Sequence, residues 1–262
     1  MREFWQNCRK QEIRMNNSLK VSIITTTYNN ADHLRGIMQQ VLRQTYPNIE
    51  YIVVDGASKD HTLDVIHELE PAFEGRLRWI SEPDKGIYDA INKGIRMATG
   101  DIVGTCFDHY VSDDVVARMV DIIEREGTDG VHADLVYKDG DKIVRTWKQG
   151  QGNIRFGWMP GHPTMYIKKE LHDKYGLYKT DYKCSADYEF MIRILKDGKA
   201  KLSYIPEILI EMDYGGTSTS GLSAYWVSLM EGHRGLKENN VRFPWFTDGC
   251  RILRLIFQFI NR

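Results

Sequence analysis

The feature that most constrains this chain is the regular alternation, in its first half, of short apolar segments with segments of helical periodicity. The apolar segments are five to nine residues long and rich in β-branched or aromatic residues, which is typical of buried strands. They read KVSIITTTY, IEYIVVD, LRWIS and DIVGTCF. Helices are predicted over residues 31–44, around 60–69, over 86–98 and from 113 to 126. Repeated strand–helix units cross over right-handed, so the sequence predicts an α/β fold with a mainly parallel, doubly wound sheet flanked by helices.

The second half is less regular. Residues 130–148 predict a hairpin that turns at Asp139-Gly140, because an Asp-Gly pair adopts the left-handed turn that a short hairpin needs. A helix near 186–196 and a strand over LSYIPEIL follow, and residues 215–221 form a polar, glycine-rich loop. The sequence therefore predicts one continuous domain over residues 20–220. A short extension, 1–19, precedes this domain, and a helical segment, 221–262, follows it.

Composition excludes several other classes of protein. The chain has 262 residues, 42% hydrophobic and 27% charged, as in a water-soluble globular protein. A formal net charge of −1 gives no basic field, so we expect no nucleic-acid partner. Neither a signal peptide nor an apolar run of about 18 residues is visible. The widely spaced cysteines predict free thiols in the reducing cytoplasm; they are Cys8, Cys106, Cys184 and Cys250.

Polar residues follow each of the four predicted strands. In open parallel sheets, ligands bind beyond the carboxyl ends of the strands. Turns and helix caps explain each loop taken alone, but four consecutive loops at one edge predict a binding site. The residues are Thr27, Tyr28 and Asn29, then Asp55, then Asp84, Lys85 and Gly86, and finally Asp108 and His109. The GxGxxG and GxxxxGK[ST] patterns are missing from the sequence, which disfavours dinucleotide and P-loop sites.

Five motifs resemble those of family 2 glycosyltransferases of the GT-A, Rossmann-like fold, and most of all the bacterial enzymes that build surface polysaccharides. The motifs are VSIITTTYNN, VVDGASKDHT, SEPDKGIYDAINKGIRMATGDIVG, PGHPTMYIKKEL and SADYEFMIRIL, of which EPDKGIYDAINKG is the most specific. The resemblance spans about residues 20–220. It implies a nucleotide-sugar part, 20–110, and an irregular acceptor part, 111–220. It also implies inverting transfer of a sugar, commonly from a UDP-sugar, to a hydroxyl of a glycan or polyprenyl-diphosphate-linked acceptor.

The resemblance also implies residue roles on the donor side. Thr27, Tyr28, Asn29 and Asp55 would hold the base and ribose. A carboxylate can accept the uracil N–H, and an aromatic ring can stack on the base. The Asp84-Lys85-Gly86 turn precedes a helix whose N-terminus favours anions, and Lys85 would add positive charge. His162, in a rigid Gly-His-Pro loop, would face the donor diphosphate or the acceptor.

Inverting transfer needs a base that takes the acceptor proton as the acceptor oxygen attacks the anomeric carbon. In similar enzymes this base is a carboxylate near the start of a late helix, a position that Asp187 occupies in CSADYEFMIRIL. The alternative is that Asp187 only stabilises the helix N-terminus as an acid. Glu189 lies four residues before Arg193, and this spacing predicts a structural ion pair.

The stretch GTCFDHYVSDD departs from the family pattern. Family members usually end strand four with Asn-Ser-Asp-Asp, in which one acid contacts ribose and the last holds Mn²⁺ or Mg²⁺. Here Asp108 aligns with the first acid and His109 with the second, while Asp113 and Asp114 begin the next helix. Neutral imidazole suits softer metals than a carboxylate does. Three alternatives are open: Asp108 and His109 bind Mn²⁺, with or without His162; Lys85 and helix dipoles replace the metal; or the site is impaired and the domain binds nucleotide-sugar without catalysis.

The C-terminal segment CRILRLIFQFINR is amphipathic. It places Ile252, Leu255, Ile256 and Phe259 on one helical face flanked by arginines. Such a helix is typical of a membrane interface, which would place a cytoplasmic protein at the inner face of the cell membrane. The equal alternative is a helix packed on the protein's own core or on a second subunit.

Overall fold

The computed structural model describes residues 19–214 and 222–260. Almost all of the predicted 1–19 extension and the whole polar loop 215–221 lie outside the described residues. In the first half, strands and helices alternate as predicted. The strands are β1 (Val21–Thr27), β2 (Ile49–Asp55), β3 (Leu77–Ser81) and β4 (Ile102–Thr105). The helices are α1 (Ala31–Arg43), α2 (Thr62–Leu69), α3 (Ile87–Met97) and α4 (Val115–Glu126).

The first four strands are parallel and lie in the order β3-β2-β1-β4. The chain therefore winds outward from β1 in one direction and then returns to the other side of β1 to form β4. Such a reversal opens a crevice at the carboxyl ends of the two strands, where open α/β sheets bind ligands. This crevice lies between the loop that starts at Tyr28 and the segment that follows Thr105.

The second half continues the same sheet with mixed pairing. Its strands are β5 (His109–Tyr110), β6 (Gly130–Asp139), β7 (Lys142–Trp147), β8 (Tyr166–Lys168) and β9 (Leu202–Asp213). Its helices are α5 (Lys169–Tyr175), α6 (Ala186–Leu195), α7 (Leu222–Glu238) and α8 (Pro244–Ile260). β8 joins β4 to β6, both antiparallel, and β9 lies between β6 and β5. The β6–β7 hairpin turns at Gly140, whose φ of 55° is in the left-handed region, as predicted.

Alternate residues of the buried strands fill two hydrophobic cores, one on each face of the sheet. Ile23 and Val53 pack with α1, α2 and α4, whereas Ile24 and Ile52 pack with α3 and α6. Burying one such side chain contributes about 1.5–3 kcal/mol, so both faces hold the strands in register. The carboxyl edge of the sheet is thereby a rigid base for the loops that follow it.

The two C-terminal helices pack on each other and on the second half of the chain, α7 against α6 and α8 against β7 and residues 154–156. Thr247 Oγ1 donates to the carbonyl of Arg155 (2.9 Å), and the Arg251 guanidinium lies 4.0 Å from the centre of the Tyr188 ring. Over residues 19–214 and 222–260, no helix is both long and apolar enough to cross a membrane. The cysteines in these ranges, Cys106, Cys184 and Cys250, are free, as predicted.

Candidate active site

The loops that follow β1 and β2 are joined through Asp55. Its carboxylate has no exposed surface and accepts hydrogen bonds from the Ser58 N–H (3.0 Å), the Ser58 hydroxyl and the Ser81 hydroxyl (2.6 Å). The Asn29 N–H donates in turn to Ser58 Oγ (2.7 Å). Asp55 therefore joins the loops after three neighbouring strands. The sequence could identify this acid, but its use as a brace depends on Ser81, which comes from another strand.

Tyr28 and Asp84 lie on either side of Gly56. A Cβ atom at Gly56 would be 3.0 Å from Asp84 Oδ2 and 3.3 Å from Tyr28 Cδ2, so a larger residue would push these side chains apart. The Tyr28 side chain is 61% exposed and offers an open aromatic surface beside the buried end of β2. The structure thus brings together Thr27, Tyr28, Asn29, Asp55 and Asp84, which lie in three separate loops.

The loop between β3 and α3 is held by Lys93, a residue that the sequence does not single out as a site residue. Its ammonium lies 2.6 Å from Asp84 Oδ1 and 2.9 Å from Glu82 Oε1. Burial would lower the pKa of Lys93, but these two carboxylates outweigh it and raise the pKa. The Lys85 side chain is exposed, and its backbone N–H donates to Asp89 (3.0 Å). Lys93 therefore neutralises the acids of this loop and leaves Lys85 at the surface.

Lys85 and Gly86 line a cleft of about 370 Å³, whose opposite wall is formed by residues 180–183. Tyr88 also lines this cleft and donates a hydrogen bond from its hydroxyl to Asp187 Oδ1 (3.0 Å). Burial, and then the charge of Asp187, raise the pKa of Tyr88, so its hydroxyl stays a protonated donor. The half-buried Asp187 is thereby joined to the α3 side of the cleft.

The position of Asp187 depends on Glu231, which lies on α7. Its carboxylate accepts hydrogen bonds from the backbone N–H groups of Lys183 (2.7 Å), Cys184 (3.0 Å) and Ser185 (3.1 Å). These amides form the turn into α6, so Glu231 holds the start of that helix. The sequence does not reveal this role of Glu231, because Glu231 lies more than forty residues from Asp187 along the chain. Glu189 is buried and pairs with Arg193 (2.9 Å), which confirms its structural role.

His162 lies on the same side of the molecule as Asp187. Its Nε2 shares a hydrogen bond with the Tyr178 hydroxyl (3.0 Å), and its ring stacks on Phe107 with centroids 6.5 Å apart. Burial lowers the pKa of His162 and Asp187 opposes this only in part, so the imidazole is neutral at neutral pH. His162 thus lies beside both the end of β4 and the start of α6.

The segment after β4 is held by α1. The Gln40 side chain donates to the carbonyl of Asp108 (2.6 Å) and accepts from the N–H of Tyr110 (3.0 Å). Burial, with a further contribution from the charge of Asp213, raises the pKa of Asp108 to about 7. Asp108 and Asp187 both contribute to the raised pKa of the buried Tyr137, after burial itself. The carboxylates of Asp108 and Asp187 therefore both lie near Tyr137.

The two metal ligands predicted from the sequence have different surroundings. Within the described residues, one group of three side chains could hold a metal ion: His33, His109 and Asp213, whose ligand atoms lie within 4.8 Å of one another. His109 belongs to this group, but Asp108 and His162 do not. His33, in the first turn of α1, and Asp213, at the end of β9, were not identified because neither belongs to the family motif. The nitrogen and oxygen donors fit a divalent transition metal.

Solved structures of GT-A glycosyltransferases share this fold. S. aureus TarS (residues 1–349) in complex with UDP-GlcNAc superposes with a TM-score of 0.69 at 16% identity, covering 93% of this chain and 73% of that one. The mannosyltransferase PcManGT of Pyrobaculum calidifontis in complex with GDP-Man and Mn²⁺ gives 0.64 at 18% identity, covering 99% and 82%. At these identities the likeness shows the fold, and it confirms the predicted GT-A class.

Sequence comparison defines the family. The model of glycosyl transferase family 2 matches residues 22–184. A PGL/p-HBAD biosynthesis glycosyltransferase of Mycobacterium bovis (strain BCG / Pasteur 1173P2) is 30% identical over 210 residues, which cover 76% of this chain and 79% of the relative. A glycosyltransferase of Mycobacterium tuberculosis is 33% identical over 190 residues, covering 68% and 70%. The chain belongs to glycosyltransferase family 2, as its motifs predict.

Proposed function

We propose that this glycosyltransferase moves a sugar from a nucleotide-sugar, most simply a UDP-sugar, to a hydroxyl of a glycan or lipid-linked acceptor, with inversion at the anomeric carbon. The observation that carries this proposal is the hydrogen bond between Tyr88, in the wall of the 370 Å³ cleft, and Asp187. It connects a carboxylate at the start of α6 with the loop that follows β3. Complexes of structural neighbours with UDP-GlcNAc and with GDP-Man support a nucleotide-sugar donor.

In the proposed reaction, Asp187 is the base. Because Tyr88 occupies Oδ1, Oδ2 remains to take the proton of the acceptor hydroxyl. The acceptor oxygen forms a bond to the anomeric carbon while the bond from that carbon to the phosphate oxygen breaks. Its electron pair leaves with the nucleoside diphosphate. Tyr28 stacks on the nucleobase of the donor, and Asp55 holds the loops around it in place.

The donor diphosphate lies, in this proposal, near the carboxyl ends of β1 and β4. Lys85 contributes positive charge, and the neutral His162 can donate a hydrogen bond without titrating near pH 7. A divalent metal, when bound, would offset the charge of the diphosphate. His33, His109 and Asp213 are the side chains that could hold it.

Asp187→Asn tests the assignment of the base. Loss of a general base lowers turnover by about 10²–10⁴-fold, and the amide keeps the shape of the carboxylate. We expect UDP-sugar turnover to fall by this amount while calorimetry gives an unchanged affinity for UDP. Asp173→Asn, an exposed acid on α5, is the matched control and should turn over like the wild type. Unchanged turnover of Asp187→Asn would remove this residue as the base.

A second candidate function is a GT-A domain that binds nucleotide-sugar without catalysis. Replacement of the usual acid pair by Asp108 and His109 favours it. The two functions differ in slow hydrolysis of UDP-sugars, measured with Mn²⁺, with Mg²⁺ and with chelator. Hydrolysis above the uncatalysed rate would reject the non-catalytic function. Nucleotide-sugars that bind are recognised because they raise the melting temperature of the protein, and if none of them is hydrolysed, the transferase function is rejected.

We also propose that the C-terminal helices bind an anionic membrane surface. Four aromatic residues form an exposed aromatic surface at the start of α8, with Trp245 71% and Phe246 57% exposed. Its other members are Phe156 and Phe243, and the Phe156 and Phe246 rings meet at 6.2 Å. The apolar face of α8 continues this surface through Ile252, Leu253 and Ile256, which are exposed.

Charge selects an anionic bilayer as the occupant of this surface. Residues 240–262 contain four arginines and one aspartate, a net charge of +3. Exposed aromatics beside basic residues bind the headgroup region of anionic membranes. α8 also contacts the protein itself, because Thr247 Oγ1 donates to the carbonyl of Arg155 and the Arg254 guanidinium donates to the carbonyl of Phe156 (3.0 Å). The residues proposed to meet the membrane are the exposed ones of this helix.

Vesicle sedimentation tests the membrane proposal. Wild-type protein should sediment with phosphatidylglycerol vesicles and much less with phosphatidylcholine vesicles. A Trp245→Ser, Phe246→Ser double variant should lose this binding, whereas the control Ile208→Ser, an exposed apolar residue on β9, should keep it. Equal sedimentation of the double variant and the wild type, with both folded by circular dichroism, would reject the surface.

A further inference from the structure

We propose that His33, His109 and Asp213 form a preorganised cation site that binds Mn²⁺ in preference to Mg²⁺ and does so before any nucleotide arrives. The proposal rests on the proposed function only for the use made of the ion. The site itself is argued from three elements of the fold, α1, β5 and β9, which meet beyond the carboxyl end of β4.

Strand pairing places two of the ligands on one face. His109 pairs with Glu211 across the antiparallel β5–β9 ladder. Asp213 lies two residues beyond Glu211 on the same strand, and side chains two residues apart share a face. His109 and Asp213 are therefore diagonal neighbours, close enough for their side chains to reach a common ion.

The backbone around His109 is held without a ligand. Gln40 bonds the carbonyl of Asp108 and the N–H of Tyr110, the residues on either side of His109. Both bonds come from one buried side chain of α1, the helix that also carries His33. The relative positions of the two histidines are thus set by the protein fold.

His33 has its ring fixed as in known metal sites. Its Nε2 lies 2.8 Å from the carbonyl oxygen of Phe107, which can only accept, so Nε2 carries the proton. The lone pair then lies on Nδ1, where a metal can bind. Metal-binding histidines commonly donate their other ring N–H to a carbonyl or carboxylate, which fixes the tautomer and the ring orientation.

The donor set determines which ion it suits. Two imidazoles and one carboxylate favour Mn²⁺ and later transition ions, whereas Mg²⁺ prefers oxygen ligands only. Metal–ligand bonds of about 2.0–2.2 Å allow ligand atoms up to about 4.4 Å apart, and the ligand atoms here all lie within 4.8 Å of one another. His109 and Asp213 are exposed, so water or diphosphate oxygens can complete the coordination.

Electron paramagnetic resonance of free Mn²⁺, with untagged protein and without nucleotide, tests the proposal. We expect one Mn²⁺ to bind per chain and to remain bound in tenfold excess Mg²⁺. His33→Gln keeps a side-chain donor for Phe107 but loses the imidazole, and Asp213→Asn is isosteric. Each should weaken Mn²⁺ binding by at least about tenfold. Asp173→Asn, an exposed acid on α5, is the matched control and should bind Mn²⁺ like the wild type.

Several outcomes would overturn the proposal. These are binding only after UDP is added, displacement by equimolar Mg²⁺, wild-type affinity in both His33→Gln and Asp213→Asn, or loss of binding in Asp173→Asn. Melting curves of each variant show whether it is folded, and Asp213→Asn gives the test if His33→Gln is not. The binding measurement contains no nucleotide, so its result does not depend on catalysis. If the protein binds Mn²⁺ but transfers no sugar in a separate assay with UDP-sugar, the metal site is supported and the transferase function is rejected. If the protein binds no Mn²⁺ but transfers sugar in the presence of chelator, the metal site is rejected and the transferase function is supported.

Discussion

Glu50→Gln is expected to destabilise the fold without weakening nucleotide binding. Glu50 lies near the start of β2, is 4% exposed, and joins β1 to the turn before β4. Its carboxylate accepts hydrogen bonds from the Ser22 hydroxyl (2.7 Å), from the Thr99 N–H and hydroxyl (both 2.8 Å), and from the Lys20 ammonium (3.1 Å). An amide in its place would turn an NH₂ group towards donors.

The magnitude follows from the pKa. Burial alone would raise the pKa of Glu50, but the hydrogen bonds from Thr99, Ser22 and Lys20 outweigh it and lower the pKa from 4.5 to about 2. Each tenfold change in proton affinity is worth about 1.4 kcal/mol, so the carboxylate contributes about 2–3 kcal/mol once screening of the exposed Lys20 is allowed for. For a chain of this size, we expect a melting temperature lower by roughly 5–10 °C at pH 7.

The dependence on pH has a definite sign. The folded-state pKa is below the unfolded-state value, so the contribution of Glu50 is complete above about pH 4.5. It is lost as the pH falls from there towards 2. Urea unfolding of both proteins should therefore show a constant difference from pH 7 to pH 5 and a narrowing difference below pH 4.5.

A control and a binding measurement complete this test. Glu170→Gln, an exposed acid on α5, should unfold like the wild type at every pH. Glu50 is five residues before Asp55, roughly 16 Å along the strand, so affinity for UDP should not change. If Glu50→Gln unfolds at the wild-type urea concentration, or if the difference persists unchanged at pH 3, the reasoning is refuted.

Two further predictions concern packing and the proposed base. Gly104→Ala would place a Cβ atom 2.4 Å from the buried Tyr166 ring, so we expect a loss of about 1–3 kcal/mol in urea unfolding; wild-type stability would show that the ring can move aside. Tyr88→Phe removes the hydrogen bond to the proposed base but keeps the packing, so turnover should fall by about tenfold at unchanged affinity for UDP. A proportional loss of UDP affinity would instead indicate a structural role for this hydroxyl.

The sequence could predict the first four strands because they are short apolar segments, and β1, β2 and β4 are buried on both faces. It could also predict the β6–β7 hairpin, because an Asp-Gly pair has a strong local preference for its turn. β5 and β8 have only two and three residues. Such short strands exist because a neighbouring strand pairs with them, and no local periodicity reports that pairing.

The candidate site likewise has features that local sequence could predict and features that depend on contacts between distant segments. The loops that hold Tyr28, Asp55 and Asp84 were predictable, because the carboxyl ends of parallel strands meet at one edge. The contact between Tyr88 and Asp187 joins residues 99 positions apart, and its geometry depends on how α6 packs against α3. His33 was missed for a similar reason, since only the fold places the first turn of α1 beside the end of β4.

Hydrogen bonding separates the acids of this region into two groups. Asp55, Asp84 and Glu231 each have their carboxylates bonded or ion-paired to hydroxyls, an ammonium or backbone amides, and such acids shape the loops. Asp187 accepts one hydrogen bond among the described residues, and Asp213 is exposed beside two imidazoles. An acid that the protein has not fully bonded can accept a proton or bind an ion without breaking internal contacts. The reaction chemistry is therefore expected at Asp187, with Asp213 at the ion site, and the other acids are expected to hold the loops around them in place.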